Sequence, residues 1–417
     1  MEPLSKDKPL KIVIVGGGAA GMLSAITAAA KGARVTLLEK NQRIGKKLLA
    51  TGNGRCNLTN IHMHLSHFHG RNPKFAYSAL NRFNQDQTIQ FFERLGVCHK
   101  IEDGGKVFPF SNQASSVLDV LRYELDWRGV EVMVDSEVKD IRQEKQGFVL
   151  TLKGKEPLRA DRVILTTGGK AAPNLGTTGS GYLLAEKLGH KIVDPFPSLV
   201  QLKLAEPFLK QIMGVKFEGA AEIIVNNKTL ARSAGEILFT DYGISGPAIF
   251  QLSRTAAQQL KGQEPVWVKV SLVNHLPEDE LRQYLAKRFA EGPQKNLLFS
   301  LVGFIHKKLI PALLKQAGLQ DVNKKAADLA PEEKEKIAVI LQDWRFQVTA
   351  TNTWTAAQAT AGGIETGEIH PQTMESKLVP GLFFAGEIID IDGDCGGYNL
   401  QWAWSSGYVA GTSAAAW

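Results

Sequence analysis

The stretch Lys11-Ile-Val-Ile-Val-Gly16-Gly-Gly18-Ala-Ala-Gly21 constrains this chain more than any other. Four apolar β-formers run straight into a glycine turn, and an alanine-rich segment follows as far as Ala30. Gly32 stops that segment as a helix C-cap would, and Arg34-Val-Thr-Leu-Leu-Glu39 supplies a second strand. The order predicts a β-α-β unit that binds a dinucleotide. Gly16 makes the tight turn. Gly18 lets backbone N–H groups reach a pyrophosphate at the helix N-terminus, beside Ala20, where free donors and the helix dipole favour an anion. Gly21 lets helix and strand pack closely, and Glu39 can accept hydrogen bonds from ribose hydroxyls. Glycine triplets alone also occur in ordinary turns; strand, helix, second strand and acid in this order discriminate.

With 417 residues, 44% hydrophobic and 22% charged, the chain has the make-up of a globular protein of two or three domains. Cys56, Cys98 and Cys395 lie far apart with no C-x-x-C pair and no zinc spacing, which argues against a disulfide framework and for a reducing compartment. The segment Met1–Leu10 is polar and lacks a signal-peptide core. No apolar run approaches the roughly 18–20 residues of a membrane span. The expectation is therefore a cytoplasmic protein with no membrane partner. The net charge of +7 favours anionic partners, although a basic surface that binds nothing fits charge alone equally well.

Beyond Glu39 the chain becomes basic and dotted with glycine, from Lys40 through Gly45, Lys46, Lys47, Thr51, Gly52 and Gly54 to Arg55-Cys56-Asn57. Such a segment makes a poor helix or strand, and it lets backbone approach a planar or phosphate-bearing ligand. Four histidines then fall within eight residues (His62, His64, His67, His69). They raise a metal reading, but no Cys or Asp interleaves, and no metal site is assigned. The pattern predicts one helix over 72–95, a second over 115–128, and a strand over 130–134 continuing to Val138, which would lie beside an adenine. A buried strand runs to Thr167-Gly168, and Thr177–Tyr182 reads as a turn into a short helix. Short β-rich runs from 198 to 275 suggest a small barrel, and 276–342 reads as helices. Ser245 is read there as an N-cap with Pro247 in the first turn. Between Leu281 and Gln316 seven Lys/Arg face one acid, Glu291, a composition suited to RNA or to a solvated helix face. The chain then returns as a strand from Trp344.

The N-terminal unit cannot choose between dinucleotides, but the far end can. A strand ending Phe384-Ala-Gly386-Glu387 can hold the ribitol and phosphate end of FAD. Gly396-Gly397 then feed a helix beginning near Asn399-Leu400, whose N-terminus would stabilise negative charge on a reduced flavin. The fold expected is therefore α/β. It has a Rossmann-like FAD-binding domain from both chain ends (1–197 and 343–417) and an inserted β-barrel plus small helical subdomain (198–342). No second glycine-rich unit supplies a dedicated NAD(P)H domain.

The motifs IVIVGGGAAG, GKKLLATGNGRCNLTN, GEILFTDYGISGPAI and TMESKLVPGLFFAGEIIDIDGDCGGYNLQWAWSSG resemble the BaiN/RdsA (YhiN-type) flavoproteins over nearly the whole chain. The resemblance implies an FAD domain from both ends and an insert made of a six-stranded barrel and a helical bundle. It also implies one of several chemistries: aminoacetone oxidation, reduction of bile-acid intermediates, or dihydrouridine formation in ribosomal RNA. The expectation is an FAD-dependent oxidoreductase that passes hydride through flavin N5, with NAD(P)H as donor and RNA uridine ranked ahead of a small amine. A non-catalytic flavin- or RNA-binding protein and a four-His metalloenzyme are the rivals. Arg55, Cys56 and Asn57 are the candidates at the flavin or substrate face, Cys56 as proton donor, with Glu375 and Tyr398 behind them. Oligomeric state is left open.

Overall fold

The computed structural model describes residues 9–416; the polar segment read for targeting lies outside them up to residue 8. The described residues form two compact units, 9–196 with 358–416 and 197–357.

The first unit begins with β1 (Lys11–Val15), α1 (Ala19–Ala30) and β2 (Arg34–Leu38). β1 is flanked by parallel strands on both edges, with Val13 opposite Thr36 of β2 and Val163 of β4 (Arg162–Leu165). It is therefore apolar without alternation, as a strand covered on both faces must be. A short edge strand, β3 (Glu131–Met133), follows α2 (Ala114–Trp127) and pairs with β2. The strand expected to run on to Val138 is broken: Asp135 takes a left-handed φ of 48°, and Val138 opens a separate antiparallel meander. The helix expected over 72–95 is likewise divided. Ala76–Arg82 ends at Phe83, and Asn84 starts Gln85–Arg94 by a capping box with Gln87.

The second unit is a closed six-stranded barrel with a helical part. Its strands are β5 (Leu202–Leu204), β6 (Lys216–Val225), β7 (Lys228–Phe239), β8 (Gly243–Ser245), β9 (Val266–Ser271) and β10 (Trp344–Thr351), ordered β5-β8-β7-β6-β9-β10. β10 corrects the expected boundaries. The barrel does not end at 275, nor does the chain rejoin the first unit at 343. Trp344, Phe346 and Val348 alternate inward and pair with Val270, Val268 and Val266, so β10 closes the barrel between β9 and β5. In α3 (Pro247–Lys261) the N-cap is Gly246, φ 109°, because Ser245 is still in β8.

The helical part packs α4 (Glu278–Glu291) against α5 (Pro331–Gln342) through Leu281, Leu285, Ile337 and Leu341. Three of the seven cations in its basic window have local partners. Arg282 makes a two-nitrogen contact with Glu335 of α5, with Nη2–Oε1 at 2.9 Å, and Arg288 donates to the Ser300 and Val302 carbonyls. Lys287 lies 3.8 Å from Glu291. A linear count of charge missed Glu335, which arrives from α5.

Back in the first unit, β11 (Leu382–Phe384) pairs with β4 and completes a five-stranded parallel sheet ordered β11-β4-β1-β2-β3. The last helix, α6 (Tyr398–Ala414), lies on α1. Their contact depends on small residues: a Cβ on Gly407 would come within 2.6 Å of the Ala20 carbonyl oxygen, and the Ser24 hydroxyl donates to the Gly407 carbonyl at 3.0 Å. The two ends of the sequence thus share one core. Among the described residues no helix is long and apolar enough to cross a membrane.

Candidate active site

The parallel sheet ends its strands β1, β4 and β11 at one edge, and each is followed by a glycine turn. The first is Gly16–Gly18, the second Thr166–Gly168 and the third Gly386-Glu387. A cleft opens there, at the C-terminal ends of the strands where open parallel sheets bind ligands. It is lined by the N-terminal turn of α1 (Gly18, Ala19, Ala20), by Gly45 and Lys46–Leu48, by Thr51, and by the first turn of α6 (Asn399, Leu400). A smaller cavity sharing Gly16, Glu39, Thr167 and Gly176 adds Lys40, Ser136, Glu137 and Val138.

Its polar groups are fixed from both sides. Glu39 accepts from the Gly17 amide through Oε2 at 2.9 Å, and its Oε1 accepts from the Asn41 backbone and side chain. Glu387 spans the cleft floor: Oε2 takes Lys47 Nζ at 2.6 Å, and Oε1 takes the Thr360 amide at 2.7 Å. The Thr166 hydroxyl donates to the Gly16 carbonyl at 2.8 Å, which ties β4 to the β1 turn. Lys40 donates to Thr178 at 2.8 Å; burial pushes its ammonium below the usual lysine range, against the pull of Glu39.

Two observations fit this cleft to a dinucleotide. Nothing lies within 4 Å of where a Cβ on Gly18 would stand, so the α1 N-terminus offers its orphan N–H groups to open space. The Thr167 hydroxyl, on the wall of both cavities, is buried with no hydrogen-bond partner among the described residues. Such a group costs about 1–3 kcal/mol until something polar meets it.

Fifteen of the residues read from sequence as cofactor contacts line these cavities: Gly16, Gly18, Ala20, Glu39, Lys40, Gly45, Lys47, Thr51, Val138, Thr167, Gly168, Gly386, Glu387, Asn399 and Leu400. Gly21, Gly52 and Gly54 do not. Gly21 lies beneath the turn, where a Cβ would collide with the Gly16 carbonyl oxygen. Gly52 is pressed against the Asn57 amide and the Phe108 ring, and Gly54 is exposed. Sequence reasoning missed Asn41, Thr177 and Gln358, which also line the larger cavity. Thr177 had a signal in its Thr-Thr-Gly-Ser-Gly run; Gln358 had none.

The expected catalytic trio lines neither cavity. Arg55 pairs with Glu102 at 2.9 Å and lies 4.0 Å over the Phe108 ring. Asn57 is buried, and its Oδ1 has no hydrogen-bond partner among the described residues. Cys56 is fully buried, and burial pushes its thiol up to about 12. A thiol so weakly acidic and so enclosed is a poor proton donor; it fits a packing role. Cys56→Ala should therefore keep its flavin and its turnover within about twofold while losing about 1 kcal/mol of stability. A hundredfold loss of turnover with flavin retained would return Cys56 to the mechanism. Glu375 also stands aside, with Oε1 accepting from the Gly381 amide at 2.8 Å, whereas Tyr398 stacks on His67 at 4.3 Å.

A parallel sheet with a glycine turn, an acid at the end of β2 and a C-terminal strand and helix folded back over the same cleft defines a dinucleotide-binding oxidoreductase of the flavoprotein class. The chain belongs to the family described as HI0933-like protein Rossmann domain, whose model matches residues 10–413. It is 40% identical over 407 residues to a 3-dehydro-bile acid delta(4,6)-reductase of Clostridium scindens, covering 97% of this chain and 99% of that one. It is 32% identical over 398 residues to a ribosomal RNA dihydrouridine synthase of Escherichia coli, covering 95% and 96%. A solved 3-ketosteroid delta1-dehydrogenase from Sterolibacterium denitrificans shares the fold, with a TM-score of 0.50 at 13% identity over 98% of this chain and 99% of that one. The protein is an FAD-dependent oxidoreductase, in agreement with the resemblance read from its motifs.

Proposed function

We propose that this enzyme adds two hydrogens across a carbon–carbon double bond conjugated to a carbonyl, with NAD(P)H as electron donor. One observation carries the reading. Relatives that match almost the whole chain are named for a bile-acid reductase and a dihydrouridine synthase, and both names describe hydrogenation of such a bond. Uridine in structured RNA is the first substrate. The +7 net charge supports it, as do Lys307, Lys308 and Lys315, which make no ion pair among the described residues. A small enone is the second, favoured by the 40% identity to the bile-acid enzyme.

Bound FAD supplies hydride transfer through its N5. The chain's own residues bind and orient it. The Gly18–Ala20 amides would take the pyrophosphate, Glu39 the adenosine ribose, and Val138 and Ser136 the adenine side. Lys47 and Glu387 would hold the ribitol end. The dipole at the first turn of α6, near Asn399, favours negative charge there.

The test uses the full chain, treated with RNase and deprived of oxygen. A yellow protein should bleach on adding NADPH or NADH and recover its colour when a uridine-bearing ribosomal RNA fragment is added. RNA-dependent recovery should weaken steeply as salt rises, since several lysines release counterions. Recovery with a 3-oxo-delta4 steroid acid, insensitive to salt, makes the small enone the substrate. Bleaching by aminoacetone and not by nicotinamides would overturn the reductase reading.

A further inference from the structure

The histidine run is not used by the cleft, yet the fold brings two of its members onto one carboxylate. His67 Nδ1 lies 2.9 Å from Asp394 Oδ2, and His69 Nε2 lies 2.6 Å from Asp394 Oδ1. The arrangement is built by backbone: Phe68 and His69 pair antiparallel with Gly393 and Asp392, and the Asp394 amide donates to the His67 carbonyl at 2.9 Å. Asp394 lies four residues before α6. Its turn is tied to the cleft through Asn399, whose side chain accepts from the Gly393 amide at 2.9 Å and donates to the Gly393 carbonyl at 2.7 Å. The His67 ring stacks at 4.3 Å on Tyr398, which immediately precedes Asn399.

Both carboxylate oxygens are taken by imidazoles, and the second nitrogen of each ring, His67 Nε2 and His69 Nδ1, makes no hydrogen bond among the described residues. Each imidazole side chain is 34% exposed and Asp394 15%, so the rings reach water and their counter-charge is shielded. Burial would push the Asp394 carboxyl up; hydrogen bonds from His69 and His67 outweigh it and hold the group below the usual carboxylate range. The other titratable groups at this turn are Tyr398, Cys395, Asp392 on the paired strand and, through Cys395, Lys106. Burial pushes both the Tyr398 hydroxyl and the Cys395 thiol up, and the two imidazoles are the side chains of the turn that most often serve as general acids. Among the described residues no group of three or more His, Cys, Asp or Glu side chains is arranged to hold a metal ion.

We propose that the His67–Asp394–His69 cluster is the proton source of the reduction, with His67 as the group that gives the proton up. This rests on the reading that the enzyme hydrogenates a double bond conjugated to a carbonyl. A hydride supplied by NAD(P)H bonds to the β-carbon; a flavin held in the cleft would be the group that relays it. The π electrons move toward the carbonyl as an enolate, and the His67 imidazolium transfers a proton from Nε2 to the α-carbon. The C=C bond becomes C–C, the nicotinamide is oxidised, and neutral His67 is reprotonated from water at its exposed edge. Asp394 orients both rings, and His69 shares its charge; these two are positioning residues. Cys56, enclosed and weakly acidic, is thereby replaced as proton donor.

The experiment separates the two half-reactions in the FAD-loaded full chain by stopped flow. His67→Gln keeps a donor for Asp394 and much of the stacking area, but it cannot release a proton. It should retain its FAD content, its visible spectrum and its bleaching by nicotinamide, while recovery of colour with RNA or enone slows about 100-fold. His67→Ala should show the same loss and regain rate with added imidazole, which a merely structural role would not permit. Asp394→Asn should slow recovery about tenfold. H67Q recovering within threefold of the wild type overturns the inference alone, as does loss of FAD in both His67 variants without imidazole rescue. Wild-type protein that recovers with neither acceptor overturns the underlying reading, and the inference with it.

Discussion

Gly21→Ala should give a destabilised protein that purifies without flavin. An alanine Cβ there would overlap the Gly16 carbonyl oxygen and stand 2.7 Å from the Thr166 hydroxyl. That hydroxyl bonds the Val15 and Gly16 carbonyls, so neither neighbour can retreat without opening the contact between β1 and β4. Overpacking of a tight core costs about 1–3 kcal/mol and more when backbone must move. Taking about 3 kcal/mol, the melting temperature should fall by roughly 6–12 °C. Gly18→Ala is the matched control. Gly18 has an ordinary φ of −82° and open space at its Cβ position. The apo form of G18A should melt like wild-type apoprotein yet hold FAD at least tenfold more weakly, because the methyl group fills space above the α1 N-terminus. Thermal unfolding of both apoproteins and flavin titration read the two effects separately. A yellow G21A with wild-type melting would defeat the packing argument, and tight FAD binding by G18A would remove the cleft assignment.

Gln401→Leu should be the other severe substitution. Gln401 is fully buried on α6, and its amide joins four segments. Its Oε1 accepts from Thr59 at 2.6 Å, and its Nε2 lies 2.9 Å from the Phe83 carbonyl, the Thr88 hydroxyl and the Ser405 hydroxyl. Leucine fills similar volume but leaves those polar partners facing hydrocarbon, at about 1–3 kcal/mol for each one left unsatisfied. Some can turn to one another, since the Ser405 hydroxyl already donates to the Phe83 carbonyl at 2.6 Å. A net loss of about 3–4 kcal/mol remains, near the upper end for single substitutions, and a fall in melting temperature of roughly 10 °C. Flavin retention should suffer too. The next residue, Trp402, donates to the Gly386 carbonyl at 3.1 Å, and Trp404 donates to the Leu58 carbonyl at 3.0 Å. A displaced α6 therefore moves Gly386 and Glu387 in the cleft wall. Denaturant unfolding of Q401L with a free energy within 1 kcal/mol of the wild type would show that these bonds are replaced by others.

This second substitution also shows what the motif GGYNLQWAWSSG is for. Its polarity and glycines suggest a ligand loop, and Asn399 and Leu400 do line the cleft. Gln401, Trp402, Trp404 and Ser405, however, are fastened into the core. Nothing in the spacing separates the first turn of α6 from the turns behind it, because both belong to one helix with small and polar residues on every side.

The same contrast runs through the whole chain. The β-α-β unit was legible because each of its parts is a local rule. Branched residues favour a buried parallel strand, glycines permit a tight turn, alanines permit close helix packing, and an acid at the strand end meets the turn. Glu39 accepting from the Gly17 amide is that rule realised within 22 residues. The existence of a C-terminal partner strand was legible for the same reason. Tertiary structure alone decided the rest. β10 belongs to the barrel because Trp344 and Phe346 find an inner face between β9 and β5, a pairing across more than seventy residues on one side. Arg282 lost its promise as a nucleic-acid contact when α5 brought Glu335 to it. Cys56 was enclosed when the chain closed over it, and His67 and His69 met on one carboxylate when Asp394, more than three hundred residues away, came between them. Periodicity and turn chemistry depend on neighbours in sequence, which the chain states directly; burial and pairing of charge depend on neighbours in space, which exist only after it has folded.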